Sequence, residues 1–384
     1  MNLMRRLPRT RPPHPLLFAA GLLLLTGGLF GCEALENTPN ALGREGEITI
    51  VIDSTRWKGE IGEALREELG MWIGTLPAPE RMFDLVHLSL VSPRVLDVVQ
   101  KQKNVIFVAP LSDSTNEAKF IESRLDDGAR AAILGGQSAV VPRRDLWRRY
   151  QQVVYVTAAT PQAVAEAIHE RGEDLRYVFN TITRERMTLS MFEKGRQQDL
   201  EQQIMDRHGF AVNVQHDYFI ALDTTNFIWL RRVVSSDSWR SLFVYYEENA
   251  DPSELTPEWV YATRDSLTRQ HVRGTLDGFV AIDYRRPLET ENINFLDRFA
   301  YETRGLWHML GVDENGETYE YGMGGPFLTY AFYDQDSGRT YLIDGMVFAP
   351  GYEKRDFLRQ LEVIAYTFRT RQEAEAQAEP VPTD

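Results

Sequence analysis

Apolar residues come in two rhythms along the chain, and the change between them divides it. Ile48-Thr49-Ile50-Val51-Ile52 is apolar at nearly every position, which predicts a strand buried on both faces. Asp53 or Ser54 can cap the helix that follows, whose apolar positions Trp57, Ile61, Ala64, Leu65 and Leu69 keep helical spacing. Phe83 to Leu88 and Asn104 to Ala109 predict two more strands, with a short helix from Pro93 through Leu96 and Val99 between them. Phe120 to Leu134 reads as a helix stopped by Gly135-Gly136. Gly136 to Val140 reads as the loop after it. Val153 to Thr157 is the fourth strand, and Thr160-Pro161 opens another helix. Strand and helix alternate, so this half is α/β, a four-stranded sheet with helices packed on it. A long, polar helical stretch from Asp174 to His208, ended by Gly209, reads as the connection to a second half.

The second half alternates with period two. His216 to Leu222 and Phe227 to Val233 predict a hairpin, and Leu242 to Glu247 a third strand. Thr256-Pro257 starts a helix through Val260, Ala262, Leu267 and His271. Phe279 to Tyr284, Phe295 to Trp307, Phe327 to Tyr333 and Thr340 to Phe348 predict further strands, and Asn315-Gly316 is a hairpin signal. A closing helix from Lys354 to Phe368 puts Phe357, Leu358, Leu361, Ile364, Ala365 and Phe368 on one stripe. The expected fold class is α+β, with a mainly antiparallel C-terminal sheet covered by helices.

The amino terminus changes the picture. Arg5, Arg6, Arg9 and Arg11 precede an apolar run of about ten residues from Leu16, which leads to Leu29-Phe30-Gly31-Cys32. This pattern resembles a bacterial lipoprotein signal peptide with its lipobox, although Phe30 stands where a small or β-branched residue is usual. The run is shorter than the roughly 20 apolar residues of a spanning helix. It predicts cleavage before Cys32 and acylation of that thiol, the single cysteine of the chain, with the bilayer as partner. The folded part then has no thiol for a disulfide, a nucleophile or a metal. The first 31 residues carry four arginines and no acid, so their loss takes the net charge from −14 to about −18. That balance argues against a nucleic-acid partner and against docking on anionic lipid. The expected organisation is a signal peptide at 1–31, a flexible tether at 32–46, an α/β domain at 47–173, a connecting helix at 174–209, an antiparallel α+β domain at 210–369 and a disordered tail at 370–384. The expected location is the cell envelope, at the periplasmic face of the outer membrane.

Arg304-Gly305-Leu306-Trp307, Met323-Gly324-Gly325-Pro326-Phe327, Asp344-Gly345-Met346-Val347-Phe348-Ala349-Pro350 and Lys354-Arg355-Asp356-Phe357-Leu358-Arg359-Gln360-Leu361-Glu362 resemble a family of bacterial lipoproteins known only as domain of unknown function 4837. Leu76-Pro77-Ala78-Pro79-Glu80 and Phe227-Ile228-Trp229 fit the same pattern, so the resemblance runs over nearly the whole mature chain. It implies an envelope lipoprotein and brings no catalytic residues with it. The element order of the second half is similar to the antiparallel-sheet fold of the PsbP and Mog1 proteins, whose members are mostly binding or assembly proteins. That is an analogy of fold, and fold does not fix function.

Candidate chemistry is sparse. Gly322 to Pro326 fits neither nucleotide-binding fingerprint, and the seven histidines form no His-x₃-His pair, so no cofactor and no metal site is expected. The aromatic residues of the second half, Trp229, Trp239, Tyr245, Tyr246, Trp307, Tyr330 and Tyr333, fall on predicted strands, and such side chains suit ligand grooves as well as cores. Trp229, Arg304, Trp307 and Tyr330 are the candidate binding residues, with Arg304 and Arg231-Arg232 as a cationic rim. The favoured reading is a non-catalytic module for an envelope protein or glycan partner. The rival is an envelope hydrolase working with carboxylates, for which Asp283, Glu302 and Asp344 are the acids and a converging pair is the requirement.

Overall fold

The computed structural model describes residues 38–235, 238–274 and 278–378. Cys32 and the leader before it lie outside the described residues, as do residues 379–384.

The amino-terminal unit starts with β1 (Glu47–Val51), α1 (Ser54–Trp57), α2 (Glu60–Glu68), β2 (Asp84–Leu88), α3 (Pro93–Val99) and β3 (Asn104–Val108). It continues through α4 (Asn116–Glu122), α5 (Asp127–Leu134), β4 (Ala139–Arg144), β5 (Gln152–Thr157), α6 (Pro161–Glu170) and α7 (Gly172–Phe192). The sheet has five strands in the order β2-β1-β3-β5-β4, where four were expected. β1, β2, β3 and β5 are parallel, and the added β4 runs antiparallel to β5 at the edge. β4 contains Pro142, which donates no ladder hydrogen bond and is tolerated because the strand is an edge. Alternation sorts the strand residues onto two cores. Ile48, Ile50, Ile106, Val108, Val154 and Val156 meet α2, α6 and α7, while Val51, Val105, Phe107 and Val153 meet α3 and α4. The helix expected over 120–134 is two helices, because the Asp126 carboxylate accepts the Ala129 N–H and caps a new start.

The expected flexible tether is partly laid onto this unit. Asn40 bridges to Arg149, the Leu42 N–H donates to the Lys101 carbonyl at 2.7 Å, and Glu45 pairs with both Lys103 and the buried Arg186. The long connecting helix is also divided. α7 ends at Phe192, and α8 (Gln198–His208) begins after Gly195, whose φ of +109° a helix cannot continue through.

The second unit contains β6 (Phe210–Ala211), β7 (Phe219–Asp223), β8 (Phe227–Ser235), β9 (Ser238–Glu247), α9 (Pro257–His271), β10 (Phe279–Ile282), β11 (Glu289–Phe295) and β12 (Arg298–Val312). It closes with β13 (Thr318–Asp334), β14 (Arg339–Phe348), α10 (Arg355–Ala365), β15 (Arg369–Thr370) and α11 (Arg371–Ala378), the last a helix where composition suggested a disordered tail. Eight strands form one antiparallel sheet in the order β10-β12-β13-β14-β9-β8-β7, with β11 also paired to β12. α7, α8 and α10 cover one face and α9 the other. The β11–β12 turn is Leu296-Asp297, both at positive φ (51° and 63°) with no glycine.

A loop of the first unit holds the second. The Glu80 carboxylate, 8% exposed, accepts the N–H groups of Lys354 (2.8 and 3.0 Å) and Arg355 (2.8 Å) at the start of α10. Arg355 donates to the Arg81 carbonyl and Arg359 to that of Met82, each at 2.9 Å.

Candidate functional site

The register of the large sheet places the aromatic residues in rows on the face toward α9. Val233 pairs with Trp239 and Trp239 with Phe348, while Trp307 lies opposite Gly325 one strand further on. The next row is Phe219, Arg231, Ser241, Met346 and Phe327. The third is Leu222, Trp229, Phe243, Asp344, Thr329 and Thr303. Trp239 and Trp307 stack with ring centroids 5.4 Å apart, and Phe348 sits 5.8 Å from Trp239. Gly325 makes room for this. A Cβ there would fall 2.0 Å from the Val347 carbonyl oxygen and 3.3 Å from the Trp307 indole nitrogen. The Gly322–Pro326 segment is therefore a close approach inside β13.

Unpaired buried polar atoms lie on both faces of the sheet, and on the other face Tyr218 Oη, Arg240 Nε and Tyr330 Oη have no partner either. On the face toward α9, Trp229 Nε1, Trp307 Nε1, Arg231 Nε, Ser241 Oγ and Arg264 NH1 are buried without a hydrogen-bond partner, five of the thirteen such atoms among the described residues. Each is able to donate. Four of the five lie in these three rows, and Arg264 NH1 comes to the face from α9. The Arg231 guanidinium lies 4.9 Å from the Trp229 ring centroid and 5.5 Å from that of Trp239. No carboxylate pairs with it among the described residues, and burial pulls its pKa below the usual arginine value. Beside it on the same face, Phe219 and Val233 are exposed.

Deeper on the same face, Arg264 of α9 is wholly buried. Its Nε donates to Asp344 Oδ2 at 2.7 Å, Thr329 Oγ1 donates to the same oxygen at 2.6 Å, and the guanidinium rests 3.6 Å from the Phe327 ring centroid. Burial pushes the Asp344 carboxyl up, and Arg264 with Thr329 pulls it part of the way back.

Trp229 and Trp307 thus share a face, whereas Arg304 and Tyr330 lie on the other. Arg304 is three positions from Trp307 on β12, and an odd separation on a strand reverses the side. Arg304 Nε donates to Glu302 Oε1 at 2.5 Å and Arg304 NH2 to Glu362 Oε2 of α10 at 3.4 Å, while Arg184 of α7 pairs with Glu362 at 2.9 Å. Burial alone would lower the Arg304 guanidinium, but Glu302, Tyr330 and Glu362 outweigh it and hold it above its ordinary value. Tyr330 is 1% exposed beside this network, and burial raises its phenol well above the ordinary value. These residues join α7 and α10 to the sheet and form no rim with Trp307. Arg231 and Arg232 separate in the same way, and Arg232 Nε donates to Asp217 Oδ2 at 2.6 Å.

The three acids named for hydrolysis do not converge. Glu302 pairs in register with Tyr330, and Asp344 with Thr329, which puts them on opposite faces. Asp283 is bound by Arg285 through bonds of 2.7 and 3.0 Å. Each is committed to an arginine. Among the described residues no group of three or more His, Cys, Asp or Glu side chains is placed to hold a metal ion. Among them, too, no helix is long and apolar enough to cross a membrane. Ser241 and Arg264, which sequence reasoning did not single out, and Trp239, which it counted among the aromatic residues but not among the candidate binding residues, complete the aromatic face. Trp239 falls before the start expected for its strand, and the isolation of Arg231 becomes visible only once partners are counted in space.

Residues 197–367 match the model of a Domain of unknown function (DUF4837), and residues 41–192 match a second, Domain of unknown function (DUF8532). The resemblance to DUF4837 thus holds over 197–367 and not over nearly the whole chain, and Leu76-Pro77-Ala78-Pro79-Glu80 falls within the second match instead. No curated protein matches the chain. Among solved structures the chain is similar to one from Bacteroides thetaiotaomicron at 7% identity and a TM-score of 0.24, covering 43% of this chain and 46% of that one. The chain therefore spans under half the length of that structure. It is also similar to the Ran-binding protein Mog1p of Saccharomyces cerevisiae, at 10% identity and a TM-score of 0.28, covering 42% of this chain and 90% of that one. A variant of Mog1 gives 11% identity, a TM-score of 0.27 and the same two coverages.

Proposed function

We propose that this chain is an envelope lipoprotein, acylated at Cys32 and held at the periplasmic face of the outer membrane, whose antiparallel sheet is a non-catalytic binding or assembly module. One observation carries the second part. The half-buried Arg231, with no carboxylate partner among the described residues, lies on one sheet face beside exposed Phe219 and Val233. An arginine without a counter-ion beside apolar side chains offers a partner both a charge to neutralise and an area to cover. The paired and dispersed state of Asp283, Glu302 and Asp344 supports binding over hydrolysis. The leader and Cys32 support the anchor, and the acidic body supports a tethered globule that needs no lipid surface of its own.

Two measurements test this. Globomycin, or Cys32→Ser, should change the electrophoretic mobility of the chain and abolish labelling by a palmitate analogue. A photo-crosslinker at Val233 of the lipidated chain in its host envelope should give a discrete protein adduct, while one at exposed Leu134 should not. Unchanged mobility refutes the anchor, and an absence of Val233-specific adducts refutes the module.

A further inference from the structure

Resting on the reading of the sheet as a binding module, we propose that its Arg231 face takes an extended polypeptide segment with an acidic residue, the carboxylate meeting the Arg231 guanidinium and neighbouring apolar side chains covering Phe219 and Val233.

Charge selects the first element of the partner. Arg231 lies among aromatic rings without a counter-ion, and a bidentate carboxylate is the group whose geometry its fork matches. Sheet order selects the second. β7 is a terminal strand, paired only to β8, so its outer backbone groups are open to another strand. The bulge between Ile220 and Leu222 confines that opening to a few residues. Phe219 stands opposite Arg231 in register and Val233 follows two positions along the same face, so edge, cation and apolar surface are contiguous. Phe219 and Val233 are 47% and 49% exposed, enough to leave apolar area for a partner to cover. A sugar is a poorer fit. Sugars stack on open aromatic planes, and the Trp239 and Trp307 rings are stacked on each other and only 8% and 1% exposed.

The test uses the full-length chain in detergent and fluorescein-labelled dodecapeptides selected on it from a randomised library. The selected peptides should carry Asp or Glu flanked by apolar residues, and changing that residue to Asn or Gln should weaken binding at least about 30-fold. Arg231→Gln should lose binding to the same extent while its thermal midpoint stays level or rises, because a burial-penalised cation has been removed. A role in packing alone predicts the opposite, a lower midpoint. Phe219→Asp, at an exposed edge position, should also lose binding with the fold intact. Selected peptides without an acid, or an Arg231→Gln variant binding within threefold, overturn this inference. If Val233 crosslinking still yields a partner in either case, the module reading survives. If neither peptides nor crosslinks are found at this face, both fall.

Discussion

The Arg264–Asp344 pair offers the sharpest test of how the second unit is built. Both side chains are wholly excluded from solvent, and the Asp344 carboxylate takes one bond from Arg264 Nε at 2.7 Å and one from Thr329 at 2.6 Å. Asp344→Asn leaves the guanidinium with the Phe327 ring and no counter-charge. Breaking a buried pair from one side costs about 3–5 kcal/mol. At roughly 2–4 °C per kcal/mol for a unit of this size, the thermal midpoint should fall by about 6–20 °C. Removing all the polar groups together should behave differently. In the triple variant Arg264→Met, Asp344→Leu, Thr329→Val, no charge or hydroxyl is stranded, and such replacements are often neutral or stabilising by about 1–4 kcal/mol. The assay is denaturant unfolding followed by near-ultraviolet circular dichroism, which reads the Trp239–Trp307 stack of the same core. A loss below about 1 kcal/mol in Asp344→Asn, or a triple variant as unstable as the single one, would refute the claim that this pair is a buried charge demanding its partner.

Two further outcomes follow from geometry already described. Glu80→Ala should destabilise the chain by about 1.5–3 kcal/mol, since it removes charged acceptors from two buried N–H groups, and hydrogen exchange should rise first in α10. Acid should weaken the fold through Asp334, Asp356 and Glu362. Burial alone would raise these carboxyls, but arginines and, for Asp334, Ser337 outweigh it and hold all three below their ordinary values. Their contribution is therefore complete above the unfolded carboxyl range of about 4 and is lost as pH falls below it. Denaturant midpoints measured from pH 6 down to pH 2 should show that decline, and a flat profile would contradict it.

Continuous apolar runs made much of the fold legible. β1, β3 and β5 announce themselves because a strand covered on both faces needs apolar residues at every step, and α10 does so because its buried stripe is nearly unbroken. What stayed hidden has physical causes. β4 carries Pro142, which argues against a strand until the edge position is known. β11 reads Glu-Thr-Glu-Asn-Ile-Asn-Phe and is exposed along much of its length, so it offers little apolar alternation, and its turn lacks the glycine that marks such hairpins. The candidate site was half legible. Aromatic density pointed to Trp229 and Trp307, but parity along β12 separates Trp307 from Arg304, and parity along β8 and β9 is what gathers Arg231, Trp239 and Ser241 beside them. Neither the unmatched donors nor the carboxylates that neutralise Arg304 can be read from a string of letters, because both depend on which strand lies next to which.

The contact of Glu80 with the opening turn of α10 bears on how the two catalogued regions relate. Their boundary falls between residues 192 and 197, but the acceptor that completes a helix of the second region is supplied by the first. A recombinant fragment beginning at residue 197 would carry raw amide ends at Lys354 and Arg355 and would lose the carbonyls that receive Arg355 and Arg359. The border between the two matched regions is thus not a seam along which this molecule comes apart.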